Sequence, residues 1–169
     1  MKTLIFALAL LAVPATSRAA TQEFTILGDQ KIKAEVKKGV PLPAEKNGVR
    51  IEAAAFRTGG DGLEFGFMLT TRRAPSKIVV EDVSGSHPVL MVEDLAPVLK
   101  KDLWLGVAKA MPITAAAVPW LFERGSTSKV FRFTVTLADT KEVLVLLQPA
   151  VYSADAKQVI TGSQNAKKG

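Results

Sequence analysis

The chain contains no cysteine, and this absence excludes several common kinds of site. There is no disulfide framework, no thiolate nucleophile and no cysteine-ligated metal. We also expect no bacterial lipid anchor, which needs a cysteine just after an export signal. Histidine is nearly absent, since His87 is the only one in 169 residues. The lack of cysteine and the single histidine count against an enzyme and favour a binding or structural role.

Long hydrophobic runs are also scarce. Residues 4–13 form an apolar run of about ten residues after the basic Lys2, and small residues, Ser17 and Ala19, occupy the two recognition positions that follow. This pattern predicts a secretory signal cleaved after Ala19. No later run reaches the roughly eighteen apolar residues of a membrane-spanning helix, so we expect no transmembrane segment after cleavage. The expected location is the periplasm, with release outside the cell as the alternative.

The mature chain, residues 20–169, has the length of one ordinary domain. Cleavage removes Lys2 and Arg18 and no acidic residue, which lowers the formal net charge from +6 to +4. A mildly basic protein favours anionic surfaces but does not thereby define a partner. The sequence predicts three parts: a signal peptide (1–19), a β-sandwich domain (20–155) and a flexible C-terminal tail (156–169).

Alternating apolar and polar residues predict antiparallel strands with one dry face. The two clearest blocks place Phe65 and Phe67, and Phe131 and Phe133, on such faces, so we expect all four rings in one core. The nearly continuous apolar run 142–148 predicts a central strand covered on both faces and ended by Pro149. Weaker blocks lie at residues 24–27, 32–36, 49–57, 77–83 and 89–92.

The connection at residues 39–48 is predicted to be a loop. Pro41 and Pro43 interrupt any ladder there, and Asn47-Gly48 suits the positive φ angles of a turn. Residues 94–125 do not alternate either, and contain three prolines, an alanine run and both tryptophans. They predict a short irregular or partly helical crossover, with helical turns at 95–101 and 114–118 around a strand-like piece at 103–109.

Seven to eight strands spaced by roughly ten residues favour an all-β fold, an antiparallel two-sheet sandwich. In strand number and alternation the pattern resembles the immunoglobulin-like sandwiches common among exported bacterial proteins. Because fold alone does not carry function, the resemblance implies the architecture only.

Two groups of residues are candidates for catalysis. His87 lies in the turn at 84–88, and no G-x-S-x-G elbow accompanies it, so we interpret it as an exposed turn residue. Glu81, Asp82, Glu93 and Asp94 lie on a predicted hairpin, but neighbours in a strand point to opposite faces. A carboxylate-dependent hydrolase using the hairpin 81–94 is therefore the alternative function. We expect no metal, since calcium-loop spacing is absent, and no cofactor.

The predicted binding residues lie in the crossover. Trp104 and Trp120 offer large amphipathic contact area, and Lys100 and Lys101 add positive charge, as interfaces often do. The competing interpretation is that both tryptophans are buried. The preferred function is a non-catalytic module that binds another envelope component, protein or glycan. Nucleic acid is not expected, the oligomeric state is open, and a structural accessory domain of an envelope assembly is a further alternative.

Overall fold

The computed structural model describes residues 18–59, 62–92, 98–100, 103–107, 126–153 and 158–160. Every regular element in these ranges is a β-strand. Thirteen strands occur there, namely β1 (Ala20–Ile26), β2 (Gln30–Lys37), β3 (Val40–Pro41), β4 (Glu45–Lys46), β5 (Val49–Gly59), β6 (Gly62–Thr71), β7 (Pro75–Asp82), β8 (Val89–Val92), β9 (Val98–Lys100), β10 (Leu103–Val107), β11 (Ser126–Leu137), β12 (Val143–Ser153) and β13 (Gln158–Ile160).

The strands form three sheets in which all pairs are antiparallel. The N-terminal sheet has the order β1-β2-β3, the β5–β6 sheet the order β4-β5-β6-β10-β9, and the β11–β12 sheet the order β13-β12-β11-β7-β8. The all-β, antiparallel prediction is confirmed. The predicted count of seven to eight strands in two sheets is wrong. Strands of two or three residues, such as β3, β4, β9 and β13, are too short to show a period of two.

The two large sheets share one hydrophobic core. Phe65 and Phe67 of β6 contact Phe131 and Phe133 of β11 across it, with ring centroids 5.2 Å apart for Phe65–Phe131 and 5.4 Å for Phe67–Phe133. All four rings are buried in one cluster, which confirms the prediction of a common core. Each buried side chain of this size contributes about 1.5–3 kcal/mol relative to exposure.

The N-terminal sheet packs on the opposite face of the β11–β12 sheet. Phe24, Ile26 and Val36 form a second cluster with Val83 and Val130. Since Val130 precedes the core residue Phe131 in one strand, the two side chains point to opposite faces. Backbone hydrogen bonds reinforce the contact, because Leu27 N donates to the Val83 carbonyl over 2.9 Å. The β11–β12 sheet is therefore partly covered on both sides.

The segment 39–48 is more regular than its prolines suggest. Pro41 pairs with Val36 as part of β3, at the edge of the N-terminal sheet, where a missing N–H leaves no ladder bond unmade. The predicted turn at Asn47-Gly48 is confirmed, with φ angles of 49° and 75°. It joins β4 to β5 with Lys46 opposite Val49, as in a type I′ hairpin.

Two further predictions differ from the structure. The helical turn predicted at 95–101 is wrong for Val98–Lys100, which form β9 and pair with β10. Pro149 does not end β12, which continues to Ser153. Residues Gln158–Ile160, in the predicted tail, form β13 beside Val151–Ser153. The helical turn predicted at 114–118 lies outside the described residues.

Candidate functional site: a groove beside β12

The predicted binding residues are only partly within the described chain. Lys100 ends β9, and its backbone lies opposite Leu103. The Trp104 backbone lies opposite Leu69 of β6. Their strands are neighbours at one edge of the β5–β6 sheet. Lys101 and Trp120 lie outside the described residues, as do the side chains of Lys100 and Trp104, so binding at these four positions stays a prediction.

The carboxylates of the alternative hydrolase diverge as their adjacent positions imply. Glu81 Oε2 accepts from Arg132 Nε at 2.8 Å and lies 2.7 Å from its Nη2. Asp82, which lies opposite Phe131, is buried, and its Oδ1 accepts from Ser84 N at 2.9 Å. Both carboxylates are thus bound to protein groups. Glu93 and Asp94 lie outside the described residues.

The remaining sequence candidates form no cluster within the part of the chain that the structure describes. His87 is exposed in the turn between β7 and β8, as interpreted from the sequence. Among the described residues, no three histidine, aspartate or glutamate side chains are grouped closely enough to hold a metal ion.

A groove of about 510 Å³ lies beside β12. Its floor is formed by β12, one wall by β2, and the other wall by the connection between β3 and β5. Aliphatic and charged side chains line it: Lys33, Ala34, Glu35, Leu42, Pro43, Ala44, Glu45, Lys46, Arg50, Val145, Leu146, Leu147 and Pro149. The groove therefore joins all three sheets.

One buried glutamine fixes the second wall. Gln148 is 0 % exposed, although it is polar. Its Oε1 accepts from Ala44 N at 2.6 Å, and its Nε2 donates to the carbonyl oxygens of Leu42 at 3.2 Å and Pro149 at 2.6 Å. These bonds satisfy a side chain that would otherwise be costly to bury. They also hold the chain where it passes from the N-terminal sheet to the β5–β6 sheet.

Along the groove floor, no described strand pairs with the outer edge of β12. Leu137 N donates to the Glu142 carbonyl over 2.9 Å, so alternate residues of β12 turn their backbone groups away from β11. Val143, Val145 and Leu147 are of this kind. In the part of the chain that the structure describes, strand β13 pairs with Val151–Ser153. Within the described ranges no hydrogen bond reaches the outward-facing amide and carbonyl groups of Val145 and Leu147.

The outer face of β12 is also apolar and accessible. Val143 is 58 % exposed and Val145 43 % exposed. The prediction of a strand covered on both faces is therefore wrong for this part of β12. The physical reason is that the N-terminal sheet reaches only as far as Leu147, which packs against its cluster. An exposed, apolar strand edge is a ready template for pairing with another chain.

Charged residues border the groove. Arg50 lies between two acids, with its Nη1 3.8 Å from Glu45 Oε2 and its Nε 3.2 Å from Glu52 Oε1. The Nε–Glu52 contact is an ion pair without hydrogen-bond geometry. Lys33 and Lys46 add positive charge on opposite walls.

A second ion cluster lies at the start of β12, around Glu142. Arg73 bonds both Asp139 at 2.9 Å and Glu142 at 3.0 Å, while Asn47 Nδ2 donates to Glu142 at 3.2 Å. The hydrogen bond from Arg73 holds the pKa of Asp139 below its ordinary value. Because a depressed carboxyl pKa stabilises the ionised fold, this contribution is present above the ordinary pKa and is lost as the pH falls through the lowered one. The turns that meet here are thereby fixed at neutral pH.

Sequence reasoning did not find this groove, because none of its residues belongs to a motif. One available signal is the apolar run that ends in Pro149. In the register of β12, the nitrogen of Pro149, which has no hydrogen to donate, faces the outer edge of the strand, where proline is tolerated.

The comparisons with known proteins give no relative, so the function is inferred from the fold and the groove. No protein-family model matches the chain, and no curated protein or solved structure does so either. Within the described residues there is no helix with the length and apolar character to cross a membrane.

Proposed function

We propose that this chain is an exported, immunoglobulin-like module of the periplasm that binds another protein of the envelope. Strand order supports the fold. The consecutive neighbours β5-β6-β10-β9 and β12-β11-β7-β8 follow the orders A-B-E-D and G-F-C-C′ of an immunoglobulin sandwich when β5 is lettered A. The shared core of the two sheets agrees with this assignment.

Export is supported by where the first described strand begins. Strand β1 starts at Ala20, the first residue after the predicted cleavage point, and Ala20 pairs with Val36. Cleavage after Ala19 therefore removes no residue of a described strand.

The export proposal predicts the mass of the secreted chain. Protein recovered from the periplasm of an expressing bacterium is expected to begin at Ala20, because Ser17 and Ala19 satisfy the recognition positions. Intact-mass measurement checks this result. An Ala19→Arg variant serves as the matched control, since a large charged residue at the cleavage position should leave the precursor uncut. A periplasmic species that still contains residues 1–13 would contradict the prediction.

The groove beside β12 carries the binding function. It combines a strand edge that no described strand covers, exposed Val145 and a wall fixed by Gln148, which is an arrangement suited to a protein ligand. A protein is favoured over a glycan because the lining residues in the described chain are aliphatic or charged, and none is an aromatic platform. The predicted residues of the crossover remain a separate candidate surface.

Site-directed crosslinking tests this function. Because the chain contains no cysteine, Lys46→Cys places a single thiol on the groove wall, to be labelled with a benzophenone maleimide. Ser86→Cys, exposed in the β7–β8 turn and outside the groove lining, is the matched control. In envelope extract we expect one crosslinked protein from Lys46→Cys that is not formed by Ser86→Cys and disappears with excess unlabelled protein. Equal or non-saturable crosslinking at both positions would refute a partner in the groove.

A further inference from the structure

We propose that Asn47 is a site of spontaneous deamidation, restrained by Glu142, and that its conversion to isoaspartate loosens one wall of the groove. The co-reactant is solvent water, and no enzyme is needed. The inference goes beyond the proposed function and does not depend on it, because it concerns only the turn between β4 and β5 and the wall that this turn forms.

The sequence Asn47-Gly48 places the two reacting groups next to each other. The amide nitrogen of Gly48 attacks Asn47 Cγ, so that a new N–Cγ bond forms, the Cγ–Nδ2 bond breaks, and ammonia leaves with the amide proton. Water then adds to either carbonyl of the cyclic imide and opens it. One direction of opening gives aspartate and the other gives isoaspartate, which is why asparagine is counted among the thermolabile residues.

The turn leaves this reaction accessible. Asn47 and Gly48 are both exposed. A Cβ added at Gly48 would meet no other atom within 4 Å, so no neighbouring side chain crowds the attacking nitrogen. Within the described ranges no hydrogen bond engages the Gly48 amide. The nitrogen is therefore free to react once the Asn47 side chain reaches it.

Glu142 restrains the reaction. Asn47 Nδ2 donates to Glu142 Oε1 over 3.2 Å, and Glu142 is itself fixed by Arg73, whose Nη1 lies 3.0 Å from Oε2. Asn47 must bring its Cγ over the Gly48 nitrogen to react. A side chain that is tied to a neighbouring turn reaches that position less often than a free one, so the hydrogen bond slows the first step.

The two products have different effects on the hairpin. Aspartate accepts the positive φ of Asn47, which is 49°, and Asp-Gly forms the same type of turn as Asn-Gly. Isoaspartate instead adds a carbon atom to the main chain within the two-residue turn. The turn cannot take up this extra length while Lys46 stays opposite Val49. Isoaspartate therefore disturbs the pairing of β4 with β5, and aspartate does not.

The disturbed pairing forms part of the groove wall. Glu45 pairs with Arg50, both line the groove with Lys46, and Ile51 N donates to the Ala44 carbonyl over 2.9 Å. These bonds follow directly from the register of the hairpin. Loss of that register is thus expected to free the wall from β5.

Peptide mapping of the ageing protein tests the site. The purified mature chain is incubated in mildly alkaline buffer and digested with pepsin at acidic pH, where the imide does not form. Mass spectrometry measures deamidation, and labelling by isoaspartyl methyltransferase detects isoaspartate. Asn47 is expected to react about tenfold or more faster than Asn165, which is followed by Ala166, because glycine leaves its nitrogen unhindered.

Two variants test the restraint. Glu142→Ala removes the acceptor and is expected to speed deamidation of Asn47 by about two- to tenfold, the equivalent of one hydrogen bond. Asp139→Ala is the matched control, because Asp139 binds the same Arg73 while no hydrogen bond joins it to Asn47. It is expected to change the rate by less than about twofold. Thermal melts confirm that both variants are folded.

Amide hydrogen exchange tests the effect on the wall. Exchange at Ile51 is expected to speed by about tenfold or more in aged protein that contains isoaspartate. Asn47→Asp, which has the charge of the products and an unaltered main chain, should stay within about threefold of the fresh protein.

Each part of the inference has a result that would overturn it. Reaction of Asn47 no faster than that of Asn165 would refute the site. An unchanged or slower reaction in Glu142→Ala would refute the restraint. Equal exchange at Ile51 in fresh and aged protein, or equal acceleration in Asn47→Asp, would refute the role of isoaspartate. Crosslinking from Lys46→Cys in fresh protein is independent of all three results, so the proposed function would stand.

Discussion

Phe133→Ala is expected to lower the free energy of unfolding by about 3–5 kcal/mol, the cost typical of removing a buried phenylalanine ring. Phe133 is fully buried, and its ring packs edge-on against Phe67 with centroids 5.4 Å apart. The contact joins the two large sheets, so neither sheet alone can close the cavity left by the substitution. Urea denaturation of the mature chain measures the change.

A neighbouring residue gives the control for this substitution. Thr134 follows Phe133 in β11 and is half-buried on the opposite face of the sheet. Thr134→Ala is expected to cost less than about 1 kcal/mol, because it removes little buried surface. If Phe133→Ala destabilised the fold no more than Thr134→Ala, the common core of the two sheets would not be its main source of stability.

The periodicity of the phenylalanines made this core predictable. Phe65 and Phe67, like Phe131 and Phe133, are two residues apart, and a period of two in a strand places both rings on one face. The hairpin at Asn47-Gly48 was predictable for an equally local reason, since both residues accept positive φ at low cost. Where the geometry of a strand or turn is set by its own residues, the local sequence is enough to predict it.

Features set by contacts between distant segments were not predictable in this way. Pro149 predicted the end of a strand, because the sequence does not show that its nitrogen faces an open edge. The apolar run before it predicted a strand covered on both faces, because hydrophobicity does not reveal how far the N-terminal sheet extends. Val143 and Val145 are consequently exposed in the structure. The groove also depends on how distant segments pack against β12, and so no local sequence motif predicts it.

The wall of the groove is held by Gln148, so replacing this residue is expected to have the second large effect on stability. Gln148→Leu has nearly the same volume but leaves Ala44 N–H and the carbonyls of Leu42 and Pro149 without the partner they have in the native protein. A fully buried group left unpaired costs about 1–3 kcal/mol, and the groups of Ala44 and Leu42 are only partly buried, so we expect a total loss of about 2–4 kcal/mol in the free energy of unfolding. Urea denaturation measures this loss, and the exposed Gln22→Leu is the matched control.

The same substitution is expected to alter the site as well as the stability. Gln148 holds residues 42–44, which cover one side of the groove, so its loss should speed amide exchange at Ala44 while exchange in the Phe65 and Phe133 core remains slow. Crosslinking from Lys46→Cys should weaken in the Gln148→Leu background under conditions where the protein is still folded. An Ala44 amide that stays protected, with a stability loss no greater than that of Gln22→Leu, would show that the connection is held by Ile51, whose N donates to the Ala44 carbonyl at 2.9 Å, and not by the glutamine.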